Sequence, residues 1–417
     1  VAGAPGVEGP APRILVVTTT YPRSEGDSTP RFVADLCERL VAEHGVVVTV
    51  LAPHAPGIPR CETMRGVRVE RFRYALDPER QAIAYGAGVM DNLRSRPAAR
   101  RQLPGFLAAM AAGVFRRLGD HDLVHAHWAP PGAVASAANL LHRRPTVLTL
   151  HRLSVPCSRL ERFALRRADR VLFNSRFTLE QAERQGCRFR GEVAYQGFDP
   201  EVFAPAGDPD GRRRLSEPLR RLGVPEGATV VAGVARLVRF KGFDVLLAAA
   251  DRFLAGRPGV HLVIAGDGPE RPGLEARAAA SPHAGRIHLP GALDRDGVAA
   301  LLAAAELFVN PAIDRPDGFV ETLGVATLEA AATGVPAVGS RVGGVPETIE
   351  DGVTGVLVPP GDPAALASAV GALLDHPERR ASLGRAARER VRERFSWSTL
   401  ARQVAAVYRR LLAGEER

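Results

Sequence analysis

The chain is almost without lysine. Of its 55 cationic residues in 417 positions, all are arginine except Lys241. Aromatic residues are sparse at 6%, and no basic stretch is interleaved with them, so nucleic acid is not the expected partner. The four cysteines, Cys37, Cys61, Cys157 and Cys187, lie far apart and share no metal-type spacing. They read as reduced thiols of a cytoplasmic protein. No apolar run approaches the roughly 18 residues needed to span a bilayer. The opening residues VAGAPGVEGPAP have no charged segment followed by an apolar core, so 1–12 reads as a frayed tail rather than a leader. No G-x-G-x-x-G follows the first strand-like run, which disfavours a dinucleotide oxidoreductase. There is also no G-x-x-x-x-G-K-[ST], no H-E-x-x-H and no serine-hydrolase elbow.

What is present is alternation. Short apolar runs alternate with amphipathic stretches twice over. RILVVTT, VVVTVLAPH, VRVERFRY, LVHAHW, TVLTLH and RVLFNS fall in the first half. TVVAGVARL, VHLVIAGDG, RIHLPGAL, LFVNPA, PAVGS and GVLVPPGD fall in the second. Between them lie helix-period segments such as FVADLCERLVAEHG and FDVLLAAADRFLAG. Strands alternating with helices imply parallel sheets wrapped by helices. FDPEVFAPAGDPDG has linker density of Pro, Gly and Asp, which sets a boundary near Pro205. The expectation is an α/β protein of two Rossmann-like domains, 13–204 and 205–395, with parallel sheets facing across a cleft. A last amphipathic helix, 396–417, is expected to pack back on the first domain. Ligands of such sheets bind beyond the carboxyl ends of the strands.

The net charge of +9 suits phosphorylated small molecules or an anionic membrane surface. Two segments carry the chemistry. In ARLVRFKGFDVLL, Arg236 follows a strand and Lys241 precedes a glycine and a helix. Two cations at a strand–loop–helix junction form an anion site. A lysine kept in a chain that otherwise uses arginine suggests a compact ammonium rather than a planar fork. In DGFVETLGVATLEAAATGVPAVGS, Glu321 and Glu329 stand eight positions apart among small residues. On one helix they would share a face, and Gly324 and the alanines would let a ligand approach.

ARLVRFKG, AGDGPE, LPGALDRDGVAALLAAAELFVNPA, ETLGVATLE, GVPAVGSRVGGVPETIEDGVTGVLVPPGD and FSWSTLARQVAAVYRRLL, in this order and spacing, resemble a GT-B-fold retaining glycosyltransferase of family 4. YPRSEGDSTPRFVADLCERL, LVHAHW and ADRVLFNS agree in the first half. The resemblance implies a nucleoside diphosphate sugar donor, UDP- or GDP-hexose in type, and no metal or other cofactor. It places the donor diphosphate against Arg236 and Lys241 and the backbone of Leu323, Gly324 and Val325. It places the ribose at Glu329 and the sugar at Glu321. His127 falls near the donor sugar, Gly26 on the donor side of the first loop, and Asp27 and His151 on the acceptor side. Relatives carry Glu-Gly-Phe-Gly where this chain has Glu321-Thr322-Leu323-Gly324, and Gly-Gly-Asp where it has Arg152-Leu153-Ser154. The acceptor therefore stays open among a soluble small molecule, a glycan and a membrane lipid. Arg94, Arg96, Arg100 and Arg101, beside an apolar helical run, would serve a peripheral membrane contact. An ordinary core helix behind a solvated Arg-rich loop is the favoured account of them, and the acceptor is then a soluble small molecule or glycan. His125 is expected on the strand face opposite His127, as a core residue. The rival readings are a nucleotide-sugar hydrolase or epimerase and a nucleotide-sugar-binding protein.

Overall fold

The computed structural model describes residues 10–24, 27, 29–86, 88–199, 202–203, 219–220, 223–315 and 318–415. Two compact units emerge. One gathers Val1–Asn174, Thr178–Gly197 and Trp397–Arg417, and the other Ser175–Phe177 and Phe198–Ser396. The first holds β1 (Arg13–Val17), β2 (Val47–Pro53), β3 (Cys61–Met64), β4 (Val67–Phe72), β5 (Leu123–His127), β6 (Thr146–Leu150), β7 (Arg170–Phe173) and β8 (Gly191–Val193). They run in the order β3-β4-β2-β1-β5-β6-β7-β8. Every pair is parallel except β3 with β4. β3 and β8 escaped the sequence reading, because CETM and GEV are short, polar and nowhere apolar in alternation.

Along β1 successive residues feed opposite cores. Ile14 and Val16 pack on one face with the helices Phe32–His44 and Trp397–Leu412. Leu15 and Val17 pack on the other with residues of the helices Pro97–Leu118, Ala129–Ala138 and Arg159–Arg167. A strand buried on both faces needs a continuous apolar run, which is what RILVV supplies.

The second unit holds β9 (Thr229–Val234), β10 (Val260–Ala265), β11 (Ile287–Gly291), β12 (Leu307–Asn310), β13 (Ala337–Ser340) and β14 (Gly355–Val358). Their order is β11-β10-β9-β12-β13-β14, parallel throughout. This is the doubly wound order, reversing between β9 and β12.

The boundary expected at Pro205 lies outside the described residues. The chain changes unit at Gly197 and returns at Trp397. The two crossings lie side by side: the Phe198 amide donates to the Phe395 carbonyl at 2.9 Å, and Phe198 bridges Ser396. A Cβ on Gly197 would stand 2.7 Å from the Trp397 ring, so only glycine fits under that indole.

Candidate active site

In the second unit, β9 and β12 are neighbours where the strand order reverses. A cavity of 170 Å³ opens beyond their carboxyl ends, lined among others by Lys241, Asn310, Glu321, Gly324 and Val325. The loop after β9 makes one 3-10 turn, Arg239–Lys241, closed by Gly242 at φ 69°. A Cβ at Gly242 would lie 1.9 Å from the Pro311 carbonyl oxygen, and the Ile313 amide donates to the Phe240 carbonyl at 2.9 Å. The loop is thus clamped to the end of β12, which fixes the root of the Lys241 side chain. The Lys241 ammonium donates to the Glu321 carboxylate, both side chains being largely buried.

Glu321 is not on a helix. The helix begins at Val325, because Gly324 takes φ 90° and ψ 60°, a left-handed conformation that breaks the turn. The face shared with Glu329 therefore does not exist. Glu321 reaches the cavity from the loop in front of the helix, and Glu329 sits within the helix Val325–Ala332. Two glycines hold that loop. A Cβ on Gly343 would stand 2.0 Å from the Glu321 carbonyl oxygen, and one on Gly344 2.0 Å from that of Thr322. The Gly344 amide donates to the Glu321 carbonyl at 2.9 Å. The first turn of the helix has no side-chain cap; the Thr327 amide donates to the Gly324 carbonyl at 2.9 Å, while Val325 and Ala326, which line the cavity, carry the leading amides that suit an anion. Leu323 buries its side chain at 1% exposure, and only its backbone can serve a ligand.

The cavity gathers Lys241, Glu321, Gly324 and Val325. Arg236 is exposed two residues beyond β9 and is not part of the lining. Glu329 is half-buried farther along the helix. Burial pushes its carboxyl up to about 7, with Arg295 opposing. Asn310 was missed by sequence reasoning. Its amide donates to Thr327 Oγ1 at 3.0 Å, both buried, and ties the end of β12 to the first turn of the helix. The signal was an amide inside the apolar run LFVNP.

In the first unit the order reverses between β1 and β5, and β5 ends in His125, Ala126 and His127. His125 and His127 point to the same side, with rings stacked at 4.5 Å. The opposite faces expected for them do not hold, since residues two apart on a strand share a face. His125 lies between the Tyr408 hydroxyl at 2.6 Å and Thr149 Oγ1 at 2.7 Å. His127 Nδ1 meets His151 Nε2 at 3.1 Å. Burial holds His125 and His151 down to about 3 and His127 well below its ordinary value, so all three rings are neutral near pH 7.

Asp27 has another occupation. Its carboxylate accepts from the Arg23 backbone amide at 2.7 Å and from the guanidinium at 2.6 and 3.0 Å, and its side chain is 2% exposed. It closes the first loop on itself rather than standing open to an acceptor. Gly26 lies outside the described residues. Arg100, one of the four arginines in the basic stretch, donates to the carbonyls of Leu93 and Arg94 and terminates the helix Val89–Ser95.

Two family profiles match the chain: Glycosyltransferase Family 4 over residues 29–202 and Glycosyl transferases group 1 over 217–390. A GDP-mannose-dependent alpha-(1-6)-phosphatidylinositol monomannoside mannosyltransferase of Mycolicibacterium smegmatis is 35% identical over 307 residues, 71% of this chain and 79% of the relative. The chain belongs to glycosyltransferase family 4. The transferase is also 30% identical to a D-inositol 3-phosphate glycosyltransferase of Kribbella flavida, over 97% of each. Among solved structures, sucrose-phosphate synthase from Thermosynechococcus elongatus superposes with a TM-score of 0.78 at 24% identity, covering 97% of this chain and 100% of that one. Anabaena HepE in complex with UDP-glucose gives 0.70 at 22%, covering 95% and 99%. The fold of the transferase is GT-B. No helix among its described residues is long and apolar enough to cross a membrane.

Proposed function

We propose that the transferase moves a hexose-type sugar from a nucleoside diphosphate donor to an acceptor hydroxyl, with retention and without a metal. The observation that carries this is Lys241 held beside Glu321 at the mouth of an uncapped helix, beyond the sheet's switch point. The ammonium, joined by Arg236 from the same loop, would take the diphosphate and stabilise the charge that builds on it as the glycosidic bond breaks. These cations and the amides of Leu323, Gly324 and Val325 supply the positive charge that a divalent ion supplies in other transferases. Glu321 would then release Lys241 to the phosphate and turn to the sugar hydroxyls. Glu329 would accept the two ribose hydroxyls.

In the front-face reaction the bond from C1 to the phosphate oxygen breaks while C1 bonds to the acceptor oxygen. The acceptor proton passes to the departing phosphate, so no protein nucleophile is required. The donor is of the UDP- or GDP-hexose type. Replacing Lys241 or Arg236 by Ala should lower kcat by roughly 10²- to 10³-fold, the scale of removing one transition-state donor. Near-normal turnover of both folded variants overturns the assignment. Donor incubated without acceptor separates the rivals: an epimerase returns isomerised donor and a hydrolase free sugar.

A lipid acceptor is the second reading. Exposed Phe115 on the helix Pro97–Leu118 packs edge-on against His142 at 5.1 Å, and His142 follows exposed Leu140 and Leu141 in the chain. Salt-sensitive sedimentation with anionic but not neutral vesicles, lost on Phe115→Ser with Leu141→Ser, supports it. No binding at low ionic strength removes it.

A further inference from the structure

Cys157 and Cys187 stand thirty positions apart in the chain, yet the fold of the first unit brings their thiols within hydrogen-bonding reach of each other. A helix terminus sets each one in place. Cys157 directly precedes Ser158, which opens the helix Arg159–Arg167 through a capping box with Glu161. Cys187 follows the helix Arg176–Arg184 in a Schellman turn. Its amide donates to the Ala182 carbonyl at 3.0 Å, and the amide of Gly186, at φ 65°, donates to the Glu183 carbonyl at 2.8 Å. Gln185 ties the two termini together. Its Oε1 accepts from the Cys157 amide at 2.5 Å, and its Nε2 donates to the Ser154 carbonyl at 3.1 Å. Its own carbonyl accepts from the Arg162 guanidinium at 3.0 Å.

The two thiols differ in exposure. Cys157 is buried and Cys187 half-buried, the latter between exposed Gly186 and Arg188. Both pack on the same apolar core. Burial first, and the Cys187 thiol next, push the Cys157 thiol up to about 12. Cys157 therefore keeps its proton near neutral pH, and Cys187 is the sulfur that solvent reaches. Packing alone would be served at both positions by any small apolar side chain. Two thiols facing each other add one capacity, a disulfide.

We propose that Cys157 and Cys187 form a reversible redox site, oxidised to a disulfide by a small-molecule disulfide and reopened by thiols. Cys187 gives its proton to water and attacks one sulfur of the small disulfide. That S–S bond breaks, and one thiolate leaves and takes up a proton. Cys157 then releases its proton and attacks the Cys187 sulfur, expelling the second thiolate, which is protonated in turn. The two protein sulfurs lose two electrons and two protons, and the small disulfide becomes two thiols. The new bond makes covalent the tie that Gln185 holds by hydrogen bonds. The loop 152–157, which leaves His151 just past β6, is then fixed to the turn after the helix Arg176–Arg184 for as long as the chain is oxidised.

Oxidised glutathione is the probe. The folded chain is incubated with it, quenched in acid, alkylated and digested with trypsin. LSVPCSR (153–159) and QGCR (185–188) should run as one linked peptide that dithiothreitol separates. Cys157→Ser should arrest the reaction with glutathione on Cys187, and Cys187→Ser should leave Cys157 unmodified. Where a serine variant does not fold, Cys157→Ala or Cys187→Ala is read in the same way. The site is overturned by glutathione retained on Cys187 of the unaltered chain, or by linkage that appears only after unfolding in urea. It is also overturned by linkage of either cysteine to exposed Cys61 instead, or by a folded Cys187→Ser chain whose Cys157 takes glutathione.

Discussion

At the scale of single residues, Glu329 offers the sharpest pH test. Burial raises its carboxyl to about 7, above the roughly 4.3 of an unfolded glutamate. Between those values the folded state binds more protons than the unfolded one, so this group makes stability fall as pH rises through that window. Glu329→Gln should therefore raise Tm more at pH 8 than at pH 5, read by calorimetry; an equal gain at both removes the buried-carboxyl account. The same ionisation should govern the nucleotide. UDP or GDP affinity should climb as pH passes about 7, and in Glu329→Gln it should drop roughly 10- to 100-fold and lose its pH slope, the worth of hydrogen bonds to a charged group.

Legibility at this scale followed chemical rarity. Lys241 stood out as the one lysine. Asp27 misled, because an adjacent arginine four positions earlier can claim a carboxylate that a linear pattern leaves open. Asn310 gave a weak signal, since the need for an amide at a switch point is set by partners distant in sequence.

At the scale of elements, glycines decide where the site residues stand. Twelve of the fourteen strands among the described residues were readable from apolar runs, and the two missed ones pair through backbone rather than through a pattern of side chains. What no periodicity could show was that Gly324 ends the coil and starts the helix four residues after Glu321. The left-handed turn at Gly242 is the strongest constraint of this kind. An alanine there would meet the Pro311 oxygen, and the strained φ adds to the clash. Gly242→Ala should cost more than about 1 kcal/mol, seen as a lower urea midpoint, and should depress kcat further by displacing Lys241. A variant with an unchanged midpoint would show that the loop after β9 is not clamped to β12.

At the scale of the whole molecule, the first unit is discontinuous. Its core includes Trp397, Val404, Tyr408 and Leu411, and its hydrogen bonds join residues 355 positions apart, such as Ser398 to Glu43 at 2.8 Å. Removing residues 397–417 should unfold the first unit and spare the second. Calorimetry should then lose one transition, while UDP or GDP binding persists in the remainder. Loss of nucleotide binding would mean that the second unit cannot stand alone.

The same helix sets an order in time. A ribosome releases the sheet of the first unit early and the helix Trp397–Leu412 last. At about 5–20 residues per second, the some 200 residues between them take roughly 10–40 s to emerge. During that interval the apolar face of Ile14 and Val16 has only the helix Phe32–His44 of its two covering helices, and the second unit gains its last elements just before the helix Trp397–Leu412 appears. The nascent chain is thus a natural client for chaperones that shield exposed apolar surface. Moving the coding segment for 397–415 to precede residue 13 would shorten that wait.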